Sequence, residues 1–536
     1  MLKPIFLVSG PLAAGKSMFT EQLTSRFDAK RVSTRVLLLR ASDTDDRDAL
    51  IKLGDKLDNE TNGKWVLDQF LAETNGAPTD QIWLVDAVRT LDQVKHFRDK
   101  FGDRIVHVHL TAPIGVLRER YLARKAEIRE FNSYDEAREH GATESKIETL
   151  AQVASVVLET HRSSPRSLLA QATAGLGLFS REVVRCVDVL VGAQYGSEGK
   201  GNICAYLAKH EKYDVLMRVG GPNAGHKVAD PKYDYIQLPS GTQSNLDAKI
   251  LIGAGATLSV KQVLKEISDL KLTEDRLSID PQAIIIEDSD IEQEVGTLEV
   301  IGSTKKGVGV ATARKILGRD GNKYWGSKVR LAKDIAEFKP FIRDTKVELE
   351  KAYAAGKSVL LEGTQGTDLS LHHGEYPFVT SRETTASGCL ADAGIAPTRV
   401  RRVIMVMRTY PIRVGGTSGP MMHEITVEDI AARSDIPAAD LHKIEVGTVS
   451  GKERRIAEFD WEQVRRAASI NGVTDIALTF ADYLGIDNRK AKTFEELNAT
   501  TRNFIERVEK VTNARVSLIS KDFGKDAVII DRRQWN

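Results

Sequence analysis

The sequence predicts an α/β protein of two units, each built on a largely parallel sheet and each opening with a glycine-rich phosphate loop. Three observations predict this. Short apolar runs alternate with longer amphipathic segments along the 536 residues, and strand–helix alternation packs helices over parallel strands. One glycine loop follows the first run, Ile5–Val8, and a second of different spacing follows Cys186–Val191. Between them, the small-residue-rich stretch Ala170–Ser180 ends one pattern before the next begins. The expected units are therefore 1–178 and 185–536, in a chain too long for one ordinary domain.

The remaining runs expected as strands are Val36–Leu39, Ile82–Val85, Ile105–Leu110, Val215–Val219, Leu251–Gly255, Val359–Leu361, Val403–Met407 and Val516–Ile519. A net charge of +1 gives no electrostatic reason to expect nucleic acid or a membrane surface as partner. No run approaches the roughly 18 apolar residues that a membrane span requires. The three cysteines, Cys186, Cys204 and Cys389, lack metal-ligand spacing, and their odd number argues against a disulfide framework. A reducing, cytoplasmic setting is expected, without a signal peptide ahead of Ile5.

In the first unit, Gly10-Pro11-Leu12-Ala13-Ala14-Gly15-Lys16-Ser17 fits the P-loop pattern, after a strand and before a helix with Phe19, Leu23 and Phe27 on one face. Gly10 and Gly15 let backbone N–H groups face a phosphate, Lys16 adds a point charge, and the Ser17 hydroxyl suits Mg²⁺. A chance glycine turn is the bland alternative. Asp86 ends a hydrophobic strand, placed to hold a metal's water shell or a substrate hydroxyl, and Arg89 follows with a fork suited to a monophosphate. Arg118, Arg120 and Arg124 come after Thr111-Ala112-Pro113; they read either as solubilising charges or as a lid. Residues 1–175 resemble nucleotide and deoxynucleotide kinases, and that resemblance implies a lid closing over the transferring phosphoryl.

In the second unit, Gly196-Ser197-Glu198-Gly199-Lys200-Gly201 sits between a strand and an apolar helix, again suited to phosphate. Asn223-Ala224-Gly225-His226 sets a histidine after a flexible turn, a better acid–base candidate than a lone histidine. Further on come Gly302-Ser303-Thr304, Glu362-Gly363-Thr364-Gln365-Gly366, Thr384-Thr385 and the basic loop Gly447–Arg455. Motifs of these kinds in this order resemble the adenylosuccinate synthetases over about residues 186–534, with a length nearer the archaeal and viral members.

That resemblance implies a ligase. A nucleoside triphosphate phosphorylates the purine 6-oxygen, and the amine of L-aspartate then displaces the phosphate. It implies that Lys200 and the loop Gly196–Gly201 hold the transferring phosphoryl with Mg²⁺, whose ligands include the Gly225 carbonyl and the group at position 197. His226 would be the acid at the 6-oxygen, and Gln365 would orient the base. Asn223, Ser303, Thr304, Thr384 and Thr385 would hold the nucleotide. Thr448, Val449, Ser450, Gly451, Arg454 and Arg455 would clamp aspartate. Asp482 and Ser520 would contact the triphosphate, and a homodimer is implied, with Arg314 or Arg319 as the arginine lent to the partner.

Three departures narrow the substrate. Ser197 stands where the family carries an aspartate that serves as base and metal ligand, and serine is a poor base. The lost carboxylate opens space beside the purine 2-position. A viral branch, the 2-aminoadenylosuccinate synthetases, carries this serine and acts on dGMP. Phe480 replaces the lysine that orients guanine, which favours ATP or dATP over GTP. Lys452-Glu453 replaces a pair of arginines, one of them near the ribose, which accords with a deoxyribonucleotide. The expectation is therefore a dGMP–aspartate ligase using ATP and fused to a nucleotide kinase. An ordinary IMP-using synthetase and a non-catalytic nucleotide sensor are the alternatives.

Overall fold

A computed structural model describes residues 3–42, 46–78, 80–124, 131, 133–139, 144–178, 184–297, 301–446, 453–522 and 529–533. The chain divides into two compact units, Met1–Phe179 and Ser180–Asn536.

The first unit is a five-stranded, all-parallel sheet in the spatial order Lys30–Ser33, Trp83–Asp86, Ile5–Ser9, Ile105–Thr111, Val156–Glu159. The strand Ile5–Ser9 is central and buried on both faces, with Phe6 and Val8 packing into one core and Ile5 and Leu7 into another. The helix Lys16–Phe27 starts at Gly15, whose φ of 94° is a left-handed conformation that side chains disfavour. Phe19 and Leu23 are its buried face.

One expected strand is wrong. Val36–Leu39 lies inside the helix Thr34–Arg40, and the strand there is the preceding Lys30–Ser33. A four-residue apolar run has no period of its own. Only Leu37 of this turn is buried deeply, and Val36 is exposed, which is a helical and not a strand pattern.

The second unit is built on a nine-stranded sheet. Its order is Leu277–Ile279, Lys249–Ile252, Val215–Arg218, Val359–Glu362, Val187–Gly192, Val400–Arg408, Asp475–Thr479, Arg515–Ser520, Ile529–Asp531. All pairings are parallel except the last. Alternation divides the core between the two faces: Val189, Val191, Met217 and Leu361 pack on one, and Leu190, Leu216 and Leu360 on the other. A small antiparallel sheet, Ile412–Val414, Arg454–Ala457 and Glu424–Ile425, and a hairpin, His226–Ala229 with Lys232–Tyr235, stand apart from the large one. Among the described residues, no helix is long and apolar enough to cross a membrane.

Candidate active site

Three neighbouring central strands, Val359–Glu362, Val187–Gly192 and Val400–Arg408, deliver their carboxyl-end loops to one region, where ligands bind parallel α/β sheets. The loop after Val187–Gly192 turns into the helix Lys200–Glu211 at Gly199, whose φ is 85°. Glu198 organises this turn from inside. One carboxylate oxygen accepts from the N–H groups of Gln194 and Gly196, and the other from Lys200 Nζ at 2.6 Å, with both side chains fully buried. Lys200 also donates to the Gly196 carbonyl at 3.2 Å, which turns its cation inward over the loop.

The same region holds a cavity of about 600 Å³ lined by Ser197, Lys200, Asn223, Gly225, His226, Thr304, Gln365 and Thr380, with Arg413, Arg454 and Phe480 also on its wall. His226 is the best-defined chemical group in it. Its Nδ1 lies 2.5 Å from a Glu362 oxygen, and Ser240 binds the same carboxylate through its hydroxyl and its N–H. His226 Nε2 is buried with no partner among the described residues. Burial, reinforced by the Arg218 and Lys200 charges, brings the His226 imidazole down to about 4 against the pull of Glu362. Burial alone would raise the Glu362 carboxyl, but His226 and Arg218 hold it below the ordinary range. At neutral pH the pair is therefore a carboxylate and a neutral imidazole whose Nδ1–H faces it, leaving the Nε2 lone pair toward the cavity.

Thr380 is the polar hub opposite. Its hydroxyl takes the Gln365 amide at 2.7 Å and the Asn223 amide at 3.3 Å, and the Asn223 side-chain oxygen is buried without a partner. Gln365 itself sits at φ 64°, a backbone state rare for a side-chain-bearing residue. The Ser303 hydroxyl accepts from the Lys305 N–H, and Ser303 and Thr304 line the cavity.

Several expected residues stand elsewhere. Thr384 donates to the Gly366 carbonyl, and Thr385 caps the helix Ala386–Ala393 through the Gly388 N–H. Both hydroxyls are buried and committed to backbone, and neither residue lines the cavity. Of the basic pair, Arg454 lines the cavity, whereas Arg455 is taken by Glu424 and the Gly419 carbonyl. Thr448, Val449, Ser450 and Gly451 lie outside the described residues. Asp482 accepts twice from Arg489 through one oxygen, its other oxygen has no partner among the described residues, and burial pushes its carboxyl up to about 6. Ser520 donates to the Asp522 carbonyl. Arg314 is fully buried, paired with Asp290 and bound to the Ile285 and Lys328 carbonyls. Arg319 is exposed, with its Nε on the Ile316 carbonyl.

In the first unit, Lys16 Nζ donates to the Gly10 and Pro11 carbonyls at 2.5 and 3.0 Å. Asp86 pairs with Arg31, and the Arg89 N–H donates to Gln93. Arg118 pairs with Asp135 at the surface, Arg120 is held on Thr160, and Arg124 lies over the Tyr121 ring. Ser17 follows Lys16 in the first turn of the helix.

Sequence reasoning missed Thr380, Arg408, Arg413 and Glu445. Thr380 carries no signal beyond its hydroxyl. The arginines and Glu445 look like surface charge until the fold buries them.

A family model for adenylosuccinate synthetase matches residues 189–326 and 326–489. The adenylosuccinate synthetase of Methanocaldococcus jannaschii is 39% identical over 351 residues, covering 64% of this chain and 96% of that protein. The Pyrococcus horikoshii enzyme of the same name is 38% identical over 353 residues, with 64% and 98% covered. Among solved structures, the succinoaminodeoxyadenylate synthetase of cyanophage S-2L, bound to dGMP and dATP as energy donor, aligns with a TM-score of 0.54 and 27% identity, over 66% of this chain and 96% of that one. The fully ligated adenylosuccinate synthetase of Plasmodium falciparum aligns with a TM-score of 0.55 at 23% identity, over 65% of this chain and all of that one, a likeness of fold.

Proposed function

The chain belongs to the adenylosuccinate synthetase family, and we propose that its second unit joins L-aspartate to C6 of dGMP at the expense of ATP or dATP. The ligase class follows from the family. The acceptor is our reading, carried by one observation: Ser197, a small neutral side chain, lines the cavity beside Lys200 and His226. A purine with a 2-amino group needs both the room and the absence of a fixed carboxylate there. The cyanophage enzyme, solved with dGMP and dATP, supports it.

The residues divide the work as follows. The 6-oxygen must become a leaving group before an amine can displace it, so the first step moves the γ-phosphoryl onto that oxygen as N1 gives its proton to water, and the nucleoside diphosphate leaves. Lys200 is placed to follow the charge on that phosphoryl once a triphosphate draws it off the Gly196 carbonyl. His226 Nε2 holds the 6-oxygen side of the acceptor. The imidazole is neutral on its own, and phosphates, being negative, favour its protonation, so substrate binding itself arms the acid. The aspartate amine then forms the C6–N bond, phosphate leaves with the oxygen, and the amine gives up a proton. Thr380, Asn223 and Gln365 form a neutral amide–hydroxyl set suited to a 5′-phosphate, and Arg454 faces the cavity as the fork for an aspartate carboxylate.

Mg²⁺ fits this donor set. Among the described residues no cluster of three acidic, histidine or cysteine groups could hold a metal, and the oxygens at hand are the Ser197 hydroxyl and the Gly225 carbonyl. Such neutral oxygens suit a cation held mainly by nucleotide phosphates, and when bound it would offset charge on the transferring phosphoryl.

For the first unit we propose phosphoryl transfer to a nucleoside monophosphate, supported by the P-loop placed at the carboxyl end of a central parallel strand. Aspartate-dependent phosphate release, compared between dGMP and IMP, tests the ligase reading. Release with dGMP is expected, and release with IMP alone would replace this reading by an ordinary adenylosuccinate synthetase.

A further inference from the structure

Beyond the His226–Glu362 pair, Glu445 is a buried carboxylate of the second unit that two arginines and a tyrosine share. Its side chain is 1% exposed. Oε1 accepts from Arg408 at 2.5 Å and from the Tyr483 hydroxyl at 2.6 Å, and Oε2 accepts from Arg454 at 3.3 Å and Arg408 at 3.5 Å. These partners lead to two parts of the cavity wall, Phe480 and Arg454. Arg408 is itself buried, lies over the Phe480 ring at 4.0 Å, and reaches the Ser197 carbonyl at 3.4 Å. Tyr483 meets the same Phe480 edge-on, with centroids 5.2 Å apart. Arg454 is held by one guanidinium nitrogen, NH1, which also reaches the Ile444 carbonyl, and the residue lines the cavity.

We propose that Glu445 is a positioning residue through which the arginine facing aspartate and the ring facing the triphosphate's base are set together. Resting on the ligase reading above, this makes aspartate affinity and donor-base choice properties of one buried carboxylate. The physical reason is charge sharing. Two guanidinium groups compete for a single carboxylate inside a low-dielectric site, so the position of each depends on the hold of the other. The Arg408 main chain is fixed, with its N–H and carbonyl both engaged by the Gln194 amide, so its guanidinium is the part that responds. A change at Phe480 is therefore transmitted to Glu445 and on to Arg454, and residue contacts of this kind are where couplings are measurable. The 5′-phosphate set, Thr380 with Asn223 and Gln365, shares no bond with this network among those described, and Ser197 meets it through its backbone carbonyl, not its side chain.

The test compares the full-length parent, Glu445→Gln and Arg408→Lys by steady-state kinetics with dGMP, aspartate and ATP, and by calorimetric binding of aspartate and of ATP. Glu445→Gln is expected to raise the KM for aspartate about tenfold and that for ATP about fivefold, leaving the KM for dGMP within about twofold. Arg408→Lys keeps the charge but loses the stack and the fork on Glu445, so the KM values for ATP and for aspartate both rise about threefold while that for dGMP stays within about twofold. If Glu445→Gln does not fold, Arg408→Lys decides. The proposal is overturned if Glu445→Gln moves all three KM values together or changes only kcat, or if Arg408→Lys leaves ATP unaffected. If the parent turns over no purine monophosphate, the ligase reading fails instead, and the binding data still report whether the aspartate and ATP sites respond to Glu445.

Discussion

His226 Nδ1 stands 2.5 Å from the Glu362 carboxylate, in a pair where neither side chain reaches solvent to more than 4%. The two residues are 136 positions apart and arrive from different strands, His226 on an outlying hairpin and Glu362 at the end of a central strand. The carboxylate fixes which imidazole nitrogen carries the proton. Glu362→Gln would keep the shape and lose that control, because an amide can turn its NH₂ toward Nδ1. A fall in kcat of about 100-fold or more, with KM values within about threefold, is expected from steady-state kinetics. An unchanged kcat would show that the tautomer is set elsewhere.

Three buried neutral histidines make the fold acid-sensitive, while Asp482, its carboxyl pushed up to about 6, works the other way in the same window. His107 and His109 flank Ser9 at 2.7 and 2.9 Å under the P-loop, and burial brings both imidazoles down to about 4, as it does His226. In the unfolded chain a histidine takes its proton near pH 6.5. Between about 6.5 and 4 the unfolded state therefore binds more protons than the folded one, and stability falls as pH falls through that window. Calorimetry should show Tm dropping from pH 7 to pH 4.5, with a shallower slope in His109→Asn.

On the proposed reading, Ser197→Asp would fill the space that the purine 2-amino group takes. The ratio of kcat/KM for dGMP to that for IMP should fall by at least about tenfold, since overfilling a packed site costs on the order of 1–3 kcal/mol. An unchanged ratio would mean that position 197 does not read the 2-amino group.

Much of this was legible in the chain itself. Both glycine loops, the strands feeding them and the ordered second-unit motifs can be read from local pattern, because a phosphate cradle needs glycine, lysine and a helix start in adjacent residues. What escaped was set by distance. Thr380 becomes visible only when Asn223 and Gln365 converge on it, and it takes the fold to show Thr384 donating to the Gly366 carbonyl and Thr385 capping a helix. Arg454 and Arg455 are indistinguishable in sequence, yet alternation along the strand Arg454–Ala457 turns one to the cavity and the other to Glu424. Val36–Leu39 was misread because four apolar residues suit a helix turn as well as a strand.

The P-loop lysine supplies a separation of functions. Lys16 donates to the Gly10 and Pro11 carbonyls and is the point charge that a phosphate would capture. Lys16→Ala should reduce phosphoryl transfer to nucleoside monophosphates by about 100-fold or more. Aspartate ligation should stay within about twofold, read in parallel on one preparation. Loss of both would show that the units depend on one another.

The most direct measurement of the central claim is mass spectrometry of the products formed from dGMP, L-aspartate and ATP by the purified chain. The account predicts a species in which the 6-oxygen of dGMP has been replaced by the aspartate amine, with ADP and phosphate in equal amount. Unchanged dGMP, alongside condensation of aspartate with IMP under the same conditions, would contradict it.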